Sequence, residues 1–250
     1  MTLFGRRIPM VYALVVWLVI WELAGRAGLS TVVPPFSRVI TTGMSVVWSE
    51  KFATAAMISL RSFAIGMACA LAVGIPLGFL MARVRLMGRI LGMWVNIFVS
   101  APISALVPIL MAVIGIGETT VVVTVFLFAV FVITLDTQVG VQHADRSLVE
   151  MARSFGARRH QLYTKVLVLS ALPEILAGVR LGAIRGVKGV VIGQLLVAII
   201  GVGELFELYS QHFLMEEFWA LVLVVFLFAF AVSETIAALE RRVEYYAGSR

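Results

Sequence analysis

The amino-acid sequence predicts an all-α membrane protein with six transmembrane helices, and three observations carry that prediction. The 250-residue chain is 61% hydrophobic and only 14% charged, where a soluble domain is about half apolar and a quarter charged. Its apolar residues run on in long blocks, for a mean hydropathy of +1.04, and a block of roughly 20 residues is what a helix needs to cross a hydrocarbon core of about 30 Å. The Lys and Arg residues, 20 in all, alternate between successive connections, as the positive-inside rule requires of a chain that crosses repeatedly.

Six segments meet the length requirement: 8–24, 55–81, 90–116, 119–135, 172–203 and 218–239. The first also has features of a signal peptide, since Arg6 and Arg7 precede an apolar run and small residues follow in Ala24-Gly25-Arg26-Ala27. Glu22 and Arg26 interrupt the cleavage region, and five remaining spans break the charge alternation, so it is read as a span. Residues 1–250 form one membrane domain without a soluble appendage or repeat.

The charges orient it. Arg6 and Arg7 precede the first span, Arg83, Arg85 and Arg89 separate the second and third, Arg146, Arg153, Arg158, Arg159 and Lys165 separate the fourth and fifth, and Arg241, Arg242 and Arg250 follow the sixth. The opposite connections carry only Arg26, Arg38 and Lys51. Both termini are therefore expected in the cytoplasm. The segment from Gly28 to Thr54 is then external, with Val33-Pro34-Pro35-Phe36 leading into a short amphipathic helix bearing Val39, Ile40, Met44 and Val47, either in the outer interface or packed on the spans.

Several function classes fall away. A net charge of +6 suits nucleic acid in a soluble protein, but here the cations serve topology, and no nucleic-acid partner is expected. Cys69 is the single cysteine, and His143, His160 and His212 are scattered, so no disulfide or metal site is expected. No Gly-x-x-x-x-Gly-Lys-Ser/Thr phosphate loop occurs, so any ATP must be bound by another subunit. No cofactor and no enzymatic chemistry are expected.

The connection 145–170 is too patterned for a tether. Ser147 followed by Glu150 is a capping-box pair, which starts a helix. Leu148, Met151, Ala152 and Phe155 then fall on one face. Gly156 suits a left-handed helix end, followed by Ala157 and Arg158 and a second helix with Leu162, Val166 and Leu169 on one side. The expected product is a helix-turn-helix with an apolar knob and a ring of arginines. On periodicity alone, an amphipathic connector packed against its own helices is the favoured reading.

At this segment the sequence resembles ABC importer permeases. Glu150, Ala152 and Gly156 match their Glu-Ala-Ala-x-x-x-Gly signature, with Met151 in place of the other Ala and Val168-Leu169 where the signature ends in Leu-Pro. The resemblance covers most of the chain and is closest to the nitrate, sulfonate and taurine type. It is carried by Ser59-Leu-Arg61, Gly74-Ile-Pro-Leu-Gly78, Pro102-x-x-Ala105-x-x-Pro108, Gly115-Ile-Gly117, Thr137-x-x-Gly140, Gly178-Val-Arg180 and Gly201-Val-Gly203. Asp136 stands in place of an Asn, and Gln194 in place of a frequent acidic residue. The resemblance implies a type I ABC importer permease fold in a bacterial inner membrane. It further implies that 145–170 is a coupling helix seated on a separate ATPase, present in two copies. A second permease copy and an external substrate-binding protein complete the implied assembly, and the solute is a sulfonate, nitrate, taurine, aromatic acid or vitamin precursor.

Candidate pathway residues are Asn96, Ser104, Arg180, Arg185, Lys188 and Gln194, polar groups within or beside spans where desolvation is costly. The alternatives are snorkelling for the cations and interhelical bonding for Asn96 and Ser104. Pro76, Pro102 and Pro108 are expected to bend the second and third spans. Glu204, Glu207, Glu216 and Glu217 give the last external connection an acidic surface suited to a basic rim on a binding protein, or simply to solvent. An ion-driven transporter and a membrane scaffold are the competing functions; the first needs deep acidic sites and the second leaves the signature unexplained.

Overall fold

A computed structural model describes residues 2–3, 6–7, 10–144, 146–197 and 199–248. The helices are α1 (Met10–Arg26), α2 (Phe36–Val47), α3 (Glu50–Arg83), α4 (Arg85–Ser100), α5 (Val107–Ile114), α6 (Glu118–Gln142), α7 (Arg146–Ser154), α8 (Arg159–Gln161), α9 (Val168–Val197), α10 (Gly201–Gln211) and α11 (Met215–Gly248). A 3₁₀ turn, Ile103–Leu106, precedes α5, and a π turn, Leu162–Leu167, joins α8 to α9. The only extended pairing among the described residues is Thr2–Leu3 with Arg6–Arg7.

Four stretches are long and apolar enough to cross a membrane: α3, α6, the continuous Arg159–Val197, and α11 as far as Arg242. The pair α4 and α5 adds a fifth if its two arms count as one span. The expected six is not reached among the described residues, because α1 has 17 residues, about 25 Å of helix. Ile8, where the first span was expected to begin, lies outside the described residues.

Three expected boundaries change for local reasons. Segment 90–116 is not one helix: its arms meet at 93°. Pro102 supplies no amide hydrogen, and Ala101 before it is extended at φ −73°, ψ 147°, as a residue preceding proline prefers. The segment 172–203 ends at Val197, and α10 begins separately at Gly201, whose φ is +64°. A side chain there would meet the Gln194 amide at 2.2 Å, so only glycine lets the chain turn this tightly. The helices 55–81, 119–135 and 218–239 are each longer than expected. α3, for instance, begins one turn earlier, where Ser49 Oγ accepts the Phe52 amide at 3.1 Å.

The core forms around α6, which packs α3 on one side and α9 on the other through Met67, Ala70, Ala129, Val130, Ile133 and Ala183. Close approach is set by glycines: a Cβ on Gly78 of α3 would lie 2.6 Å from the Thr134 carbonyl oxygen, and one on Gly182 of α9 would lie 2.7 Å from Ile133 Cγ1. This is small-residue packing, the usual way for membrane helices to gain contact where no hydrophobic drive exists between them. Thr124 and Thr134, both fully buried, donate their hydroxyls to carbonyls of their own helix, each at 2.8 Å.

α2 packs on α11, burying Val39 and Val46 while leaving Ile40, Met44 and Val47 exposed. Two indoles fasten the preceding loop, with Trp21 donating to the Pro34 carbonyl at 3.0 Å and Trp219 to that of Val32 at 2.8 Å. Glu216 of α11 accepts from Thr42 at 3.0 Å and pairs with Arg38 at 3.5 Å. One carboxylate of the expected acidic surface is thus engaged within the chain.

Candidate functional site

The connection between α6 and α9 is built from short-range rules. α7 starts at Arg146, so Ser147 is its second residue and not the residue that caps it; Asp145 lies outside the described residues. Its end is closed by two crossed backbone bonds, Gly156 N–H to the Arg153 carbonyl at 2.9 Å and Ala157 N–H to that of Ala152 at 3.0 Å. This is a Schellman closure, and Gly156 at φ +74° holds the left-handed position it needs. The chain restarts at Arg158, whose amide donates to Gln161 Oε1 at 2.9 Å.

The second helix differs from its expected face. Leu162 is buried, but Leu167 and Ala171 follow it inward, while Leu169 is exposed. The π turn between Leu162 and Leu167 adds one residue to the repeat and so rotates the buried face past Val166.

The large apolar row at 148, 151 and 155 does not pack inward. Leu148 is 41% exposed, Met151 53% and Phe155, just beyond the last turn, 85%. The opposite side of α7 faces the membrane helices: Val149, Glu150 and Arg153 line a crevice with Ala82, Arg83, Val141 and Leu167. Ala152 and Ala157 are half-buried and Arg158 is exposed.

The candidate pathway residues separate into different surroundings. Asn96 is exposed on α4 and donates to the Gly92 carbonyl of its own helix at 2.7 Å. Ser104 is half-buried in the 3₁₀ turn after the 93° break. Arg180 pairs with Glu240 of α11 at 3.2 Å, Arg185 acts electrostatically on Asp136 of α6, and Lys188 is exposed. Gln194 is fully buried. Its Oε1 accepts from Ser59 Oγ at 2.8 Å, while Ser59 Oγ accepts the Val202 amide at 3.0 Å. Beside this group, α3, α9, α10 and α11 enclose an apolar cavity of about 200 Å³ lined by Phe63, Val191, Val225 and Phe228 among others, with Ser59 and Gln194 its polar members.

Sequence reasoning missed two pairs. Arg61 of α3 reaches Glu118 of α6 at 2.9 Å, and Glu118 also accepts from Ser62 at 3.4 Å. The Arg83 guanidinium lies 4.9 Å over the Tyr163 ring. The first partner in each pair was visible as a charge within or at the end of an apolar helix, but its mate is distant in sequence and carries no periodic signal.

These features define a helical membrane protein, and solved structures share its fold. The inward-facing MetNI methionine ABC transporter aligns with a TM-score of 0.67 at 20% identity, covering 78% of this chain and 99% of that one. An amino acid ABC transporter crystallised with histidines aligns at 0.64 and 13% identity, over 76% and 93%. The family model described as binding-protein-dependent transport system inner membrane component matches residues 74–245, and the chain belongs to that family, the permeases of ABC importers. The taurine transport system permease protein of Escherichia coli is 26% identical over 94% of this chain and 86% of its own length. A protein of Methanocaldococcus jannaschii named as an ABC transporter permease is 29% identical over 66% of this chain, a match spanning 64% of that relative. The glycine betaine/proline betaine permease of E. coli is 30% identical over 79% of this chain and 53% of its own length. Members of the family are inner-membrane transport components, not enzymes, and work with an ATPase and a substrate-binding protein.

Proposed function

We propose that this chain forms half of the translocation path of an ATP-driven importer for a small polar or anionic solute, and that α7 couples it to a separate ATPase. The solute class is that of the sulfonates, nitrate, taurine, aromatic acids and vitamin precursors. The observation that carries the coupling role is the outward row Leu148, Met151 and Phe155. Three large apolar groups on a short amphipathic segment fit a groove on a partner, and two of them, Met151 and Phe155, lie within the Glu150-to-Gly156 signature.

The charge distribution supports this reading. If α1 counts as a span, making six, the positive-inside rule assigns both termini to the cytoplasm, and α7, with Arg153, Arg158 and Arg159 nearby, to the same side. A second copy of the permease is supported by Arg61, whose side chain is 66% exposed although it is the one charge in α3 between its two ends. A guanidinium at that position needs water or protein over it instead of lipid, which a path between two permeases supplies. Two ATPases would then bind the two α7 helices, and an external binding protein would deliver the solute.

Reconstituted with its ATPase and binding protein, the chain is expected to import solute only when ATP is present. Uptake driven by an ion gradient without the ATPase would overturn the reading.

A further inference from the structure

We propose that the crevice between α7 and the end of α3 is a binding site for a phosphate group, formed by Arg83, Arg153 and Arg159. Its volume is about 570 Å³, and its other lining residues are Ala157, Leu162 and Tyr163. No carboxylate is among them. Glu150 lines the adjoining crevice beside Arg83 and Arg153, yet no ion pair joins Glu150 to either arginine among the described residues. Three guanidinium groups thus share one opening without a counter-charge. Their forked N–H pairs match the spacing of phosphate oxygens, and bidentate contacts of this kind are among the strongest that proteins make.

All three arginines are exposed and so open to an anion from solution, and two further observations bear on how one would be held. Arg83 is held by its stack on Tyr163, at 4.9 Å, so part of the ordering that an anion would demand is already in place. Arg153 also lies about 160° round α7 from the apolar row, at 100° per residue. The crevice therefore faces the membrane helices, while the row proposed to meet the ATPase faces away. An occupant would bridge the last residue of α3, the back of α7 and the first residue of α8, tying the connection to the bundle.

Two sources offer this chemistry. Arg83 ends an apolar helix of 34 residues, about 51 Å against a core of about 30 Å, which brings it to headgroup depth. The phosphodiester of an anionic phospholipid is within reach there; inorganic phosphate is the alternative. The lipid source rests on the membrane topology proposed above, whereas the phosphate chemistry does not.

The test uses the purified full chain in neutral detergent without ATPase, so that its outcome is independent of coupling. Short-chain phosphatidylglycerol, phosphatidylcholine and inorganic phosphate are titrated, with retention read by native mass spectrometry and thermal stability in parallel. Retention of phosphatidylglycerol but not phosphatidylcholine, or stabilisation by millimolar phosphate, supports the site, and the first of these identifies the lipid as its source. Arg153→Gln and Arg159→Gln should each weaken binding about tenfold. Arg83→Lys, which keeps the charge and most of the packing but loses the fork, should weaken it several-fold while the protein stays monodisperse. Arg89→Gln removes one equal charge from an exposed position outside the crevice and should leave binding unchanged. Equal binding by all variants, an equal loss in Arg89→Gln, or a wild type that neither retains phosphatidylglycerol in preference to phosphatidylcholine nor is stabilised by phosphate overturns the proposal.

Discussion

Ser59 of α3 and Gln194 of α9 meet at 2.8 Å beneath the corner where α9 gives way to α10. The Ser59 hydroxyl also accepts the Val202 amide at 3.0 Å, so one side chain holds both arms of that corner. Ser59→Ala leaves the Val202 N–H unpaired and Gln194 Oε1 with only the Gly203 amide, at 3.4 Å. An unsatisfied buried group costs about 1–3 kcal/mol, and thermal unfolding in detergent should register a loss of that order. Gln194→Met should cost less, because it also removes Nε2, which is buried without a partner. The reverse order would show that the amide, not the hydroxyl, organises the corner.

Gly78 and Gly92 make a controlled comparison of helix packing. A Cβ on Gly78 would stand 2.6 Å from the Thr134 carbonyl oxygen, a backbone atom that cannot swing aside, whereas one on Gly92 would meet only the mobile end of Met81 at 3.8 Å. Gly78→Ala should destabilise by about 1–3 kcal/mol through overpacking. Gly92→Ala should be neutral or stabilising by up to about 1 kcal/mol, from helix propensity. Unfolding of the two variants in parallel decides it; equal effects would mean that α3 and α6 slide freely past each other.

Gly156 has no atom within 4 Å of where a Cβ would stand, and its φ is +74°. Any effect of Gly156→Ala is therefore conformational, about 1–2 kcal/mol, and should appear as faster amide exchange at Gly156 and Ala157, whose N–H groups close the Schellman turn. Gly156→Asn, which tolerates the left-handed region, should lie between alanine and wild type. Unchanged exchange in the alanine variant would show that the turn is not held by that glycine.

Much of this architecture is legible in the sequence because membrane insertion constrains composition bluntly. The runs that became α3, α6, α9 and α11 are too apolar to be anything else, and Gly156 after an amphipathic turn points to the end of α7. What could not be read depends on contacts between distant residues or on single backbone events. The 93° break needed Pro102 to end α4 outright instead of kinking it, and both outcomes look alike in sequence. The π turn displaced the buried face from Val166 to Leu167 without any residue that announces it. The glycines at 66, 74 and 78 of α3 and at 178, 182 and 186 of α9 fall at spacings of four or eight. Read as a packing stripe and not as separate motif fragments, they would have pointed to the faces that meet α6. Arg61, noted only as part of Ser59-Leu-Arg61, acquires meaning once Glu118 stands 2.9 Å away.

The coupling role of α7 is the central claim, and Phe155, 85% exposed, is its most direct probe. Removing a well-seated aromatic anchor costs about 2 kcal/mol or more, roughly a thirtyfold loss of affinity. The decisive measurement is isolation of the tagged full chain from its native membrane, quantifying the ABC ATPase that accompanies it, for wild type and for Phe155→Asp. The account predicts an ATPase with the wild type and its near-complete loss from a variant that remains folded and membrane-inserted. An ATPase retained equally by both, or absent from the wild type, would contradict it.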